Sequence, residues 1–216
     1  MHYLKPKQIK VANITTSEVE LKDLLKAWLA ISFAFAILFS GGLSFSFGFY
    51  YVFIVSSLTV GIGFLFHEIA HKLTAQHYGC FAEFRSFDTM LILAVLMSFL
   101  GFIFAAPGAV MISGPVGKRR NGRISMAGPL TNIILSLLFF SLMSVPVPSL
   151  LKPVLFIGFF INSLLALFNM IPIGNFDGRK VLIWNKFVYG TMAAASVILF
   201  FISMQFYRAY ATMGVL

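Results

Sequence analysis

The chain has 216 residues, of which 59% are hydrophobic and only 11% are charged. A soluble domain of this size needs far more polar residues on its surface, so the composition excludes an ordinary soluble enzyme or binding module. The formal net charge of +9 comes from lysines and arginines in short segments between apolar runs, which lipid and membrane topology explain better than nucleic acid.

The N-terminal half begins with a polar segment and continues with a long uncharged one. Residues 1–26 lack an apolar run and predict a cytoplasmic N-terminal arm. The uncharged stretch 27–66 has 40 residues, or about 60 Å of helix, which is enough for two crossings of a core about 30 Å thick. Glycines cluster between residues 41 and 48, so we place the turn there and predict spans at 27–46 and 49–72.

Three more apolar spans are predicted in the second half, at 124–145, 153–171 and 187–207. The apolar segment 89–106 is interpreted as a re-entrant segment or short hairpin, because backbone covered by protein is tolerated at membrane depth. With the N-terminus in the cytoplasm, this layout puts 14 of the 16 lysines and arginines on the cytoplasmic side and leaves only Lys152 and Arg208 outside. The positive-inside rule favours that arrangement.

The fold prediction is therefore an all-α multi-pass protein of the cell membrane, with about five transmembrane helices. Residues 27–216 form one membrane-embedded domain, whose core is 49–185. A short β edge strand is also predicted near 108–113, where β-branched residues occur and an unwound substrate could add by backbone pairing. The alternative is that this segment only completes the re-entrant element.

A metal-binding pattern, His67-Glu68-Ile69-Ala70-His71, lies at the end of the second span. In a helix, His67 and His71 are one turn apart and share a face, so both imidazoles can reach one metal ion. Glu68 projects beside them, close enough to take a proton from a metal-bound water. Two satisfied histidines next to a buried carboxylate are the alternative, but ionisable residues inside a span are costly and usually functional.

A catalytic zinc needs a third protein ligand, for which the candidates are His77, Cys80, Glu83, Asp88 and Asp177. His77 has the spacing of a metzincin ligand, but Thr74 occupies the position where that motif needs glycine. The single cysteine makes a thiolate cluster implausible and excludes an internal disulfide. The two acidic residues of the loop after the second span are typical of a solvated surface.

Asp177 is the preferred third ligand. It follows a helix broken by Pro172 and precedes Gly178, which lets the chain approach closely. An acidic side chain in such an apolar region needs a cation as partner. Capping of the following helix, or a pair with Arg179, is the alternative. As a ligand, Asp177 must lie at the same depth as His71, which again requires that 89–106 does not cross the bilayer.

Three segments in this order resemble the site-2 protease family of intramembrane zinc metalloproteases. They are His67–His71 with Ala75 and Gly79 downstream, Ala127-Gly128-Pro129-Leu130-Thr131-Asn132, and Asn169-x-x-Pro172 with Asp177-Gly178. The resemblance implies zinc ligands at His67, His71 and Asp177, a catalytic base at Glu68, and Asn169 near the substrate. Two departures are the long insertion 89–106 and loops too short for a PDZ-like domain.

The expected function is hydrolysis of a peptide bond within or near a transmembrane segment of a membrane-anchored substrate. One Zn²⁺ per chain activates the water, and Glu68 acts as general base. Asn169 either donates to the oxyanion or makes a helix–helix hydrogen bond, and Asn132 is expected to be structural. The alternatives are a membrane zinc hydrolase acting on lipid or a small amphiphile, and a non-catalytic metal-binding membrane protein. Nucleic acid is not an expected partner.

Overall fold

The computed structural model describes residues 8–11, 14–103 and 107–212. Within these residues the α-helices are α1 (Glu18–Ser40), α2 (Phe47–Ser56), α3 (Ile62–His77), α4 (Asp88–Ser98), α5 (Lys118–Leu142), α6 (Lys152–Asn169), α7 (Asp177–Trp184) and α8 (Lys186–Thr212). The strands are β1 (Gln8–Val11), β2 (Ile14–Ser17), β3 (Phe81–Ser86) and β4 (Gly108–Ser113), and they form the antiparallel pairs β1–β2 and β3–β4.

Five helices are long and apolar enough to cross a bilayer, which confirms the predicted number of spans. They are α1, the continuous helix Phe47–His77, α5, the helix Ser149–Asn169, and α8 as far as Phe206. A π-helical turn, Ser57–Gly61, joins α2 to α3 within the second of these. The chain is therefore a multi-pass helical protein, as the sequence predicts. It also has two small antiparallel sheets, of which the sequence predicted only the strand near 108–113.

The first helix begins at Glu18, well before residue 27, where the sequence predicted its start. Ser17 explains the difference, because its hydroxyl oxygen accepts a hydrogen bond from the backbone N–H of Glu20 at 3.2 Å and so caps the helix. Acidic residues in the first turn, Glu18 and Glu20, also favour helix at that end. The helix ends before Gly41, whose φ of 67° allows the turn that the glycine cluster predicted.

Strands β3 and β4 determine the path of the apolar insertion between them. Ser86 pairs with Gly108 at one end of the strands, and Phe81 pairs with Ser113 at the other. Because this pairing brings the two ends of the insertion together, the chain enters and leaves the insertion at the same end of the sheet. The insertion's helix α4 has 11 residues, or about 16 Å, roughly half the thickness of a bilayer core. The chain thus turns back as a re-entrant segment or short hairpin would, and residues 104–106 lie outside the described ones.

A buried ion pair ties the N-terminal helix to the rest of the fold. The Glu20 carboxylate accepts hydrogen bonds from Lys72 Nζ at 2.5 Å, from the Phe84 backbone N–H at 2.9 Å and from the Thr16 hydroxyl at 2.7 Å. Glu20 and Lys72 are both buried. This network fixes α1 against α3 and β3, and the interpretation of residues 1–26 as a polar arm did not predict it.

Candidate metal centre

Three buried side chains from two separate helices converge at the centre of the molecule. His67 and His71 lie one turn apart on α3, and Asp177 is the first residue of α7. The two Nε2 atoms are 3.0 Å apart, and Asp177 Oδ2 lies 3.4 Å from His67 Nε2 and 3.0 Å from His71 Nε2. Within the described residues, this is the group of histidine, cysteine and acidic side chains arranged to hold a metal ion.

The other nitrogen of each imidazole is held by a hydrogen-bond acceptor. His71 Nδ1 donates to the backbone carbonyl of Ile124 at 2.7 Å, and His67 Nδ1 lies 2.6 Å from Asn132 Oδ1. A carbonyl oxygen only accepts, so the neutral rings carry their protons on Nδ1 and present unprotonated Nε2 atoms to Asp177. Such second partners fix the orientation of metal-binding histidines.

A pair of buried asparagines sets the orientation of the Asn132 amide. Asn132 Nδ2 donates to the Gly63 carbonyl at 3.1 Å and to Asn162 Oδ1 at 3.0 Å. The Asn162 amide is oriented in turn by its own bond to the Gly158 carbonyl at 2.9 Å. The Asn132 oxygen is therefore left facing His67. The sequence interpretation gave Asn132 a structural role and missed Asn162, although an asparagine in the middle of an apolar span was a usable signal.

The chemistry of the donor set fits zinc. Two imidazole nitrogens and one carboxylate oxygen are three acceptors, and acceptors this close together repel one another unless a cation lies between them. Zinc binds such ligands tetrahedrally at about 2.0–2.1 Å, which puts neighbouring ligand atoms roughly 3.3 Å apart. The three distances between the His67, His71 and Asp177 atoms, 3.0, 3.0 and 3.4 Å, are close to that value.

Helix α5 closes one side of this group at Gly128. A Cβ atom at this position would overlap His71 Nε2 and would lie 2.6 Å from His67 Nε2. Only glycine therefore lets α5 run so close to the two ring nitrogens. Gly128 belongs to one of the three segments that carry the family resemblance, and this contact gives a physical reason for a glycine there.

Glu68 lies beside the metal group and faces β4. Its side chain is half-buried and lies near Val110 of β4. The carboxylate is thus near the metal group, as a general base must be. The arrangement also brings a strand next to the group that would handle the proton.

The edge of β4 away from β3 is the edge that reaches Glu68. On β3, the Phe84 N–H binds Glu20 and the Ala82 carbonyl accepts from Gln76, so both groups point away from β4. The pairs Phe84–Val110 and Ala82–Ile112 are therefore the non-hydrogen-bonded pairs of the ladder. It follows that the N–H and C=O groups of Val110 and Ile112 point to the open edge. The predicted strand at 108–113 has the same bounds in the structure.

The other predicted residues are not among the three side chains that converge, and each has its own partners. Asn169 lies in the last turn of α6, where its Nδ2 donates to the Leu165 carbonyl at 3.0 Å. The ring of His77 packs against Tyr78, and the remaining candidates lie in other surroundings. These are Glu83 paired with Arg85, Asp88 paired with Lys26, and Cys80 in a small apolar cluster. Of the predicted third ligands, the structure brings Asp177 to the two histidines.

Comparison with known proteins gives one informative match. A protein of Methanocaldococcus jannaschii named "Putative zinc metalloprotease" is 44% identical to this chain over 176 residues. The match covers 80% of this chain and 88% of the relative. No protein-family model matches the chain, and no solved structure matches it significantly.

Proposed function

The chain belongs to a family of zinc metalloproteases, and from this premise we propose that it is an intramembrane endopeptidase of the site-2 protease type. It hydrolyses a peptide bond within or near a transmembrane segment of a membrane-anchored substrate. The observation that carries this proposal is the convergence of His67, His71 and Asp177 beside Glu68, on a helix long and apolar enough to span a bilayer.

Each residue of the centre has a defined part in this reaction. His67, His71 and Asp177 would hold one Zn²⁺, which would supply Lewis acidity toward the scissile carbonyl and the attacking water. Glu68 accepts a proton from that water and delivers it to the leaving amine, so that one water is consumed for each bond cut. Asn132 keeps the His67 ring in place throughout.

The open edge of β4 is the proposed binding surface for the substrate backbone. A transmembrane helix satisfies its own N–H and C=O groups, so its peptide bonds are inaccessible until it unwinds locally. The N–H and C=O groups of Val110 and Ile112 face the open edge and offer replacement partners to the unwound segment, next to Glu68. Asn169 remains a proposed donor to the oxyanion, since its bond to Leu165 leaves one amide hydrogen free.

The loop charges support a cytoplasmic location for the N-terminus and for the active-site side of the molecule. The basic beginning of α5 and the beginning of α7 lie on the same side as the beginning of α1 in the proposed layout. That side is cytoplasmic by the positive-inside rule. The membrane partners proposed for the chain are the bilayer and a transmembrane substrate.

Comparison of the wild-type protein with its Glu68→Gln variant tests the proposal. Both are purified in detergent, assayed for zinc content and given a transmembrane peptide reconstituted in bicelles. We expect equal zinc content and a loss of cleavage of at least about 100-fold in the variant, because only the proton acceptor is removed. A variant that cleaves at the wild-type rate would refute the role of Glu68. Wild-type protein that hydrolyses lipid but no peptide would favour a lipid hydrolase instead.

A further inference from the structure

Ten of the 14 lysines and arginines on the proposed cytoplasmic side form two groups that differ in their partners. Each one between residues 22 and 85 pairs with a carboxylate, as in Lys22–Glu18, Lys26–Asp88, Lys72–Glu20 and Arg85–Glu83. The cations of the second group lie at the beginnings of α5 and α7. We call this group the basic rim; its members are Lys118, Arg119, Arg120, Arg123, Arg179 and Lys180. Within the described residues, the rim pairs with no carboxylate except that of the metal-group residue Asp177.

The basic rim borders the metal centre directly. Arg123 precedes Ile124, whose carbonyl accepts the hydrogen bond from His71. Lys118 lies six residues before Ile124, which is about 9 Å along the helix axis. On α7, Lys180 Nζ is 3.5 Å from Asp177 Oδ1. The rim therefore begins at the metal group and extends outward from it along α5.

The rim also lies at one end of the proposed substrate strand. Four residues, Gly114 to Gly117, separate the Ser113 end of β4 from Lys118. At the Gly108 end of the strand pair, the paired residue Ser86 has its hydroxyl 3.1 Å from Asp23 Oδ1 and 3.0 Å from Asp88 Oδ1. Those two carboxylates share a single cation, Lys26. The open edge of β4 thus runs from an acidic end to a basic end, with Glu68 between them.

Helix stability does not explain the position of the rim. Three of its cations, Lys118, Arg119 and Arg120, occupy the first turn of α5, where the helix dipole favours acidic residues instead. The side chains of Lys118 and Arg119 are exposed and make no hydrogen bond within the described part of the chain. The positive-inside rule requires cations on this side of the bilayer, but it does not require them beside the active centre.

We propose that the basic rim selects substrates with acidic residues on the cytoplasmic flank of the transmembrane segment, within about eight residues of the scissile bond. The inference rests on the proposed function and on pairing of the substrate with β4. A substrate strand whose scissile bond lies opposite Val110 passes Ser113 after about 10 Å and then reaches Lys118. Ordinary membrane proteins carry lysine and arginine on this flank, so the rim repels most of them and attracts an acidic exception.

Three peptides with one transmembrane sequence and different flanks test the inference. The flank next to the transmembrane segment is four Asp, four Gln or four Lys residues, placed at either end in separate sets. In phosphatidylcholine vesicles at low ionic strength, we expect kcat/KM to fall in the order Asp, Gln, Lys. We expect kcat/KM for the Asp-flanked peptide to be about tenfold higher than for the Lys-flanked one, since the two differ by two or three exposed ion pairs with the rim. The Lys118→Glu/Arg119→Glu variant should reverse the order while keeping its zinc content.

Matched controls separate this inference from its competitors. Lys152→Glu changes an exposed cation on the opposite side of the molecule and should leave the order unchanged. If the rim binds lipid headgroups instead, anionic lipid will change cleavage of all three peptides equally, which overturns the inference. Equal cleavage of the three peptides overturns it as well and leaves the proposed function intact. Failure to cut any of the three peptides overturns the proposed function, and the inference with it.

Discussion

The metal centre and the basic rim are neighbours on α5, yet they are built in opposite ways. In the metal centre the side chains are buried, and both imidazoles have a second partner that fixes the ring. In the basic rim, Lys118 and Arg119 are exposed and have no such partner within the described residues. The first region acts through geometry and the second through charge. Changes in the metal centre should therefore abolish activity, whereas changes in the rim should shift it by degrees.

The largest expected effect comes from adding one methyl group at the contact between α5 and the metal centre. Gly128→Ala puts a Cβ against His71 Nε2 and His67 Nε2, where a bound ion needs the space. We expect zinc affinity to fall at least about 100-fold and cleavage to fall with it. Zinc titration of the purified protein measures this. Gly190→Ala is the matched control, because nothing lies within 4 Å of its added Cβ. Normal zinc binding by Gly128→Ala would contradict the geometry described for the centre.

A smaller effect is expected from the residue that orients one imidazole. Asn132→Ala removes the acceptor of the His67 Nδ1 proton without removing a proposed ligand. Loss of such a partner lowers metal affinity by about 10–100-fold. Asn175→Ala, in the exposed turn before α7, is the control for loss of an asparagine. If zinc affinity stays at the wild-type value, Asn132 is structural, as the sequence alone had indicated.

The open edge of β4 connects the two regions and can be tested separately. Val110→Pro removes an N–H that faces Glu68 and is not bonded to β3, so the strand pair should survive. We expect cleavage to drop about tenfold with zinc content unchanged, because one of the backbone donors on the open edge is lost. In Met111→Pro the proline removes an N–H bonded to β3, and this variant should instead lower the melting temperature. Unchanged turnover by Val110→Pro would count against substrate pairing at this edge.

The smallest expected effect is that of ionic strength on flank discrimination, and it tests whether the basic rim acts through its charge or through its shape. Raising ionic strength from about 0.01 M to 0.5 M screens exposed charges, because the Debye length falls from about 30 Å to below 10 Å. Discrimination between the Asp- and Lys-flanked peptides should shrink several-fold, while the zinc content of the wild-type protein stays constant. Flank discrimination that persists at high salt would mean that the rim acts through shape.

The sequence predicts local features of this protein better than contacts between distant segments. The spacing of His67 and His71 requires only one helical turn, and the strand at 108–113 follows from its β-branched residues. Hydropathy finds the spans but misses the start of α1, because its first turns are polar and depend on the Ser17 cap. It also says nothing of the contact between Glu20 and Lys72, which are far apart in sequence.

The same limit applies within the candidate site. Asp177 was chosen for the cost of an unpaired carboxylate in an apolar region, and the structure brings it to the two histidines. Asn162 stands out as an asparagine in an apolar span, but the Asn132–Asn162 network joins α3, α5 and α6, so its partners cannot be predicted from local sequence. Asn169 was placed near the substrate by family resemblance, and its role remains a proposal.

The central claim is that one metal ion is held jointly by α3 and by the beginning of α7. Crystals of the zinc-loaded protein, measured on both sides of the zinc absorption edge, test it most directly. We predict a single anomalous peak about 2.0–2.2 Å from His67 Nε2, His71 Nε2 and one carboxylate oxygen of Asp177. Zinc bound without Asp177, or no peak at the two histidines in a saturated sample, would contradict the account.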